Sequence, residues 1–383
     1  IGYNALGANT DGNFNTAVGR WSLATNTTGD FNVAVGYSSL QNSTTAGGNV
    51  AVGIESLFLT TTGENNSALG TCSLRANTTG ALNTAIGECA LATNTTADNN
   101  VAVGARALKL NTTGESLVAV GRNALEQNTT GANNTAVGRD ALINNTTGAN
   151  NVAVGYLSLT ANTTGAQNVA VGQKSMCLNT TGIDNTSFGS DSLQVLTTGS
   201  SNTAIGRSSA LAVTTGSNNL LLGHDAGRAT SPSGNLTTQS NQVVLGDDNI
   251  TNLWCADTSI SSSDLRDKTD IEDFTHGLDF VTKLNPKTYR WDKRSWYVTG
   301  DESVLDVTPD GSKKKNKKHI GFMAQDVLAL EQEIGFGNNS DDMLVVNQTE
   351  DETRYGLKYE RLVPVLVNAI KELKAEIELL KNK

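Results

Sequence analysis

Side chains able to do chemistry are few in this chain, and their spacing limits what they can do. His224, His276 and His319 are too far apart for a His-based metal cluster. Cys72, Cys89, Cys177 and Cys255 do not make a disulfide scaffold in a chain of 383 residues. The run Ser261-Ser262-Ser263-Asp264-Leu265-Arg266-Asp267-Lys268 sets a hydroxyl five residues before an amine. Taken alone, it reads as an N-cap serine ahead of an acidic first turn with an exposed lysine, because that spacing is common. Lys313–Lys318 could face a polyanion. The Pro309-Asp310-Gly311 turn before it, and the lack of interleaved aromatics, read instead as a solvated hairpin tip. No residue set calls for a cofactor or a metal.

The elements that must position these residues are unevenly built. The whole chain has a net charge of -10 and 37% hydrophobic residues, with 38 glycines. That composition is ordinary for a globular protein and excludes wholesale disorder. The negative charge gives no general attraction to nucleic acid or to anionic membrane. No apolar run approaches the roughly 18 residues of a membrane span, so no membrane insertion is expected. The chain opens at Ile1 in mid-motif with no signal-peptide pattern, which reads as a fragment of a longer protein. Residues 1–260 hold 24 charged side chains, whereas residues 261–383 hold 42. Three of the four prolines lie in the second part and all four cysteines in the first. A domain boundary is expected near residue 260.

The first part is a repeat. Glycine recurs every 17 residues from Gly2 to Gly223, each time preceded by an apolar residue such as Val18, Val35 or Leu69. Asn stands four residues before nearly every one, with Leu117 the exception. Leu stands four residues after it from Leu6 through Leu159, with Met176 replacing it once, and Thr-Thr-Gly usually closes the unit. A fixed short period means one structural unit stacked on copies of itself. Seventeen residues suit a coil of two short strands and two tight turns. Glycine permits positive φ at the corners. Proline is absent from 1–231, as expected where each strand pairs above and below. The inward set is expected to be Ala, Val and Leu, with Asn and Thr stacking as ladders. Such a core is small, and association of several chains would bury the rest. Cys72 and Cys89 occupy one position in adjacent repeats and should stack.

These N-[TS]-[VA]-A-[VI]-G repeats resemble those of trimeric autotransporter adhesin heads, which form trimeric parallel β-rolls. The period here is longer, so the strand half carries over while the x-x-A-L half is expected to differ, as a short helical turn. Similar repeats occur in tail fibres of phages that infect cyanobacteria. The threonine ladder also admits an ice-binding surface, but each Thr pair abuts a turn glycine, which favours turn chemistry. The period fails after Gly223. Residues 228–239 read as a loop, Asn241 to Gly246 as an irregular closing coil, and Thr251 to Cys255 as a last strand.

Downstream come Leu284-Asn285-Pro286-Lys287-Thr288-Tyr289-Arg290-Trp291, then His319-Ile320-Gly321-Phe322-Met323-Ala324-Gln325-Asp326-Val327, then Gly356-Leu357-Lys358-Tyr359-Glu360-Arg361-Leu362-Val363-Pro364. With the serine run at 261–263, these segments resemble the C-terminal intramolecular chaperone of phage endosialidases and tail fibres. The resemblance implies a self-cleaving serine peptidase with a Ser-Lys dyad. By motif, Ser263 is the nucleophile, Lys268 the base, and the cut falls between Ser262 and Ser263. A serine hydroxyl attacks poorly until a base takes its proton, and lysine can take it only when neutral. Burial at a subunit interface could hold it neutral. Asp267 departs from the family pattern, since a carboxylate beside Lys268 favours the charged amine.

Phe274, Leu278, Phe280, Val281 and Leu284 have helical spacing, and Pro286 ends that helix. Thr288–Trp291 reads as a strand, and Ile320–Leu330 as a strand running into a helix. His319 reads as structural. Tyr359, Val363, Leu366, Ile370, Leu373, Ile377 and Leu380 alternate in steps of four and three, a coiled-coil seam. Ile and Leu at these seam positions favour dimers by rule, whereas the resemblance implies trimers.

The expected protein is mainly β. A 17-residue-repeat parallel solenoid over 1–227 is followed by a cap and connector over 228–260. A small α+β chaperone over 261–383 ends in a coiled-coil helix from about 359. Homotrimers are expected, in a virion tail fibre that meets a host glycan or outer-membrane receptor, with the chaperone fragment released in the host cytoplasm. No nucleic-acid partner is expected. A bacterial surface adhesin and an ice-binding solenoid are the alternatives.

Overall fold

The computed structural model describes residues 1–250, 268–298, 306–348 and 354–382. The strand expected from Thr251 to Cys255 lies outside them, as do Ser262 and Ser263. The chain forms two compact units, residues 1–231 with 235–247 and residues 248–383 with 232–234.

The first unit is a parallel β-solenoid. Its 14 strands, β1 (Thr16–Val18) through β13 (Leu220–Leu222) and β14 (Val243–Leu245), pair in sequence order in one sheet. Register advances by 17 residues, as in Thr16 opposite Val33 and Ala17 opposite Ala34. At the last pair Leu220 meets Val243, so the irregular segment completes a coil of its own.

Each coil has one three-residue strand, where two were expected. The x-x-A-L half is neither strand nor helix. It runs through alternating backbone signs, with left-handed φ at Trp21 (61°) and Leu23 (49°) and at their equivalents in later coils. The two left-handed amides reach opposite neighbours. Trp21 N donates to Tyr3 O in the coil before, and Leu23 N to Ser39 O in the coil after. A left-handed non-glycine residue costs about 1 kcal/mol. Burying its leucine side chain contributes about 2 kcal/mol in return. From Leu23 to Leu193 this column is fully buried.

The interior is Ala and Leu. The central strand residues Ala34, Ala51 and Ala102 are buried, while the flanking valines point outward. The expectation of inward Val is therefore corrected for the flanking strand positions, although Val213 and Val244 do lie inside. Period 2 puts only the middle of a three-residue strand inside, and that position is Ala in most coils.

Two asparagine ladders run through the stack. In one, each Asn accepts on its side chain from the next Asn backbone, as in Asn32 N to Asn15 Oδ1 at 2.9 Å. In the other, Asn94 Nδ2 donates to Asn77 Oδ1 and Asn111 Nδ2 to Asn94 Oδ1, each at 3.0 Å. The second ladder is interrupted by Ser43 and Thr60, and again by Leu196. The buried oxygens of Asn26, Ser43, Thr60 and Asn179 are left without a partner at those gaps.

The corner glycines are obligatory. Gly121 has φ +135°, and a Cβ there would stand 2.5 Å from Gly138 O. The Thr-Thr-Gly glycine is different. Its φ is not left-handed at Gly131, and Ala46 and Ala97 occupy the same place in two coils.

The second unit holds a separate core of Phe280, Val327, Val345, Val346, Leu362 and Val365. Helix α1 (Leu278–Val281) is shorter than the spacing of Phe274 to Leu284 predicts. Phe274 and Leu284 still pack on the core from outside it. Strand β15 (Lys287–Tyr289) pairs antiparallel with β16 (His319–Gly321), which leads into α2 (Ala324–Glu333). Strand β17 (Val346–Gln348) pairs antiparallel with β18 (Tyr355–Leu357). A 3-10 turn at Tyr359–Arg361 then opens α3 (Leu362–Lys381). Pro364 sits in its first turn, where a missing N–H costs no helical bond.

Candidate functional site

Of the predicted dyad, Lys268 lies among the described residues and is exposed. Ser263, and the cut expected between Ser262 and Ser263, fall outside them.

Helix α3 has two faces. Leu362, Val365 and Ala369 are buried, and α3 packs against α1. Asn368 Nδ2 donates to Phe274 O, and Leu278 N donates to Glu372 Oε2 at 2.7 Å. The other face carries the predicted seam. Val363, Leu366, Ile370, Leu373, Ile377 and Leu380 are all exposed, Ile370 by 65%. Tyr359 precedes the helix. Its hydroxyl accepts from Phe322 N at 3.0 Å and its ring stacks on Phe322, so it serves its own unit.

The solenoid also presents an unusual face. The outward strand residues form two columns, Thr16 to Val243 and Val18 to Leu245, and neither contains a charged residue. Leu69, Phe188, Ile205 and Leu245 are among its exposed members. The charges of the repeat stand elsewhere on the coil, for example at Arg75, Glu115 and Arg139.

The threonine pairs divide their work. The first hydroxyl of each pair bonds to the next coil, from Thr27 Oγ1 to Thr44 O at 3.0 Å through Thr197 Oγ1 to Thr214 O at 3.0 Å. These hydroxyls are committed to the stack. Only the second threonine, such as Thr113 or Thr147, is exposed, so each coil offers one such residue rather than a two-dimensional array.

Burial, and then the neighbouring Cys89 thiol, pushes the Cys72 thiol up, which keeps it protonated and weakly reactive. His319 stacks on Tyr289 with ring centroids 5.6 Å apart. Lysines of the 313–318 run do meet aromatics, contributed by an earlier segment: Lys313 lies over Tyr297 and Lys315 over Trp296. Among the described residues, no group of three or more His, Cys, Asp or Glu could hold a metal ion, and no helix is long and apolar enough to cross a membrane.

Two carboxylates that sequence reasoning missed organise the second unit. Glu331 on α2 is fully buried. Its oxygens accept from the backbone amides of Leu344 at 3.0 Å, Val345 at 2.6 Å and Val346 at 2.9 Å. Asp248 is also buried, against Lys293, Ser295 and Arg354. Neither carries a local signal, since their partners lie 13 to 15 and 45 to 106 residues away.

Residues 263–335 match the family model of the chaperone of endosialidase, a family classed among the peptidases. Comparison with curated proteins and with solved structures gives no match.

Proposed function

We propose that this chain is part of a phage tail fibre whose C-terminal unit acts as an intramolecular chaperone and then cuts itself free. The observation that carries this reading is a family match beginning at Ser263, downstream of a solenoid whose coils repeat at one fixed interval. Near-identical coils let chains slip by 17 residues at little cost. Long parallel pairing is slow and exposes edges meanwhile. A C-terminal trimeriser would fix the alignment from one end.

Two surfaces fit copies of the same chain. The exposed seam of α3 would close as a three-helix coil, and the uncharged strand columns would face one another about the fibre axis. The columns run the length of the solenoid and expose large apolar side chains such as Leu69, Phe188 and Ile205, the kind of face that marks an interaction surface. The mature fibre would then present its coils or cap to a host-surface glycan or outer-membrane component. The ice-binding alternative has less support, because half of the threonine hydroxyls are used inside the stack.

In the proposed cleavage, Lys268 takes the Ser263 Oγ proton as that oxygen attacks the Ser262 carbonyl carbon. The C–N bond breaks and its nitrogen receives the proton from Lys268, leaving an ester. Water hydrolyses the ester to a Ser262 carboxylate and a free Ser263 hydroxyl. Lys268 is exposed in the single chain, so a second copy could still close over it. Cutting would then follow assembly.

The test is intact mass beside a Ser263→Ala variant. Wild type is expected as two pieces, with one beginning at Ser263, and the variant as one chain of 40.1 kDa. A folded, trimeric wild type that stays whole removes the peptidase.

A further inference from the structure

The three donors around Asp248 belong to segments downstream of Ser263, while Asp248 itself lies upstream of it. Its side chain is 2% exposed. Oδ1 accepts from Lys293 Nζ at 3.2 Å and from Arg354 Nη1 at 3.4 Å, and Oδ2 accepts the Ser295 hydroxyl. Lys293 is held in place by the faces of Trp291 and Trp296, at 5.3 and 5.8 Å. A carboxylate this deeply buried and met by two cations and a hydroxyl is a built site, because Asp248 without those donors would be a buried unpaired charge. A cut between Ser262 and Ser263 divides it: Asp248 stays with the solenoid product, and Lys293, Ser295 and Arg354 go with the other.

We propose that Lys293, Ser295 and Arg354 form a carboxylate cradle that keeps the chaperone fragment bound to the solenoid product after the chain is cut. Cleavage nicks the protein, and release is a second, slower step set by withdrawal of Asp248. This rests on the cleavage proposed above.

The experiment follows the nicked wild type by size-exclusion chromatography, with the mass of each fraction. The two products are expected to co-elute. In Asp248→Asn, which keeps the side-chain volume, and in Lys293→Met, release is expected on the order of 100-fold faster. Circular dichroism of the uncut Ser263→Ala forms of both variants separates a lost latch from a lost fold. If the wild type is not cut at all, the cleavage reading fails by mass. The latch is then read on Ser263→Ala carrying an inserted protease site between residues 256 and 262 and nicked by that protease. Products that part from nicked wild type as fast as from Asp248→Asn overturn the cradle.

Discussion

The two units hold themselves together in opposite ways. In the solenoid, each stabilising contact is repeated: Asn32 does for its neighbour what Asn49 and Asn66 do for theirs. In the second unit, single residues carry whole junctions. Glu331 alone accepts from three backbone amides, those of Leu344, Val345 and Val346. Repetition spreads the loss from a change over many equal contacts, except where geometry allows only one residue type. A unique contact concentrates it. Substitutions can therefore separate the two designs.

The largest effect is expected from Glu331→Ala. Three buried amides would lose their acceptor, a loss of about 3–5 kcal/mol. Differential scanning calorimetry should show the second unit melting many degrees earlier while the solenoid transition stays in place. A shift of both transitions together would mean that the units are not independent.

Next is the corner glycine, the one place where the solenoid should behave like the second unit. Gly121→Ala puts a Cβ on a neighbouring carbonyl at a φ that L-residues avoid, and about 2–3 kcal/mol should be lost. Gly131→Ala also brings a Cβ to 2.3 Å from a backbone oxygen, that of Gly148, but at a φ that L-residues adopt and where Ala46 and Ala97 stand in other coils, so a smaller loss of about 1 kcal/mol is expected. Chemical denaturation of the two variants side by side tests the distinction, and equal losses would refute it.

The smallest effect has the opposite sign. Ser43→Asn with Thr60→Asn restores the interrupted ladder and partners buried oxygens that now have none. A gain of about 1 kcal/mol per rung is expected by denaturant midpoint. No gain would show that distributed contacts tolerate a missing rung without loss.

The same contrast governs what was legible in the sequence. The period, the parallel in-register stack, the corner glycines and the ladders all follow from short-range recurrence, and Asn15 to Asn32 makes the point in one bond. Valine was expected among the inward residues, whereas Val33 and Val35 flank the inward Ala34 and point out. A three-residue strand has one inward position, and alternation alone does not say which parity it takes. The left-handed Leu23 was hidden because leucine has no preference for that conformation, and only stacking enforces it. In the second unit the α3 helix and its exposed apolar face were visible by periodicity. Glu331 and Asp248 were not, because no local pattern marks a carboxylate whose partners arrive from distant segments.

The gaps in the second asparagine ladder also have a mechanical meaning. Hydrogen bonds between coils run in the direction in which the strands stack. A pull in that direction loads the junctions in series, so each carries the full force and the weakest sets the breaking load. The coils bearing Ser43 and Thr60 have lost side-chain bonds that the coils from Asn77 to Asn179 keep. Under tension the stack should therefore open first at one of its gaps, near Ser43 and Thr60 or near Leu196, as a fuse does, and leave the Asn77–Asn179 segment intact.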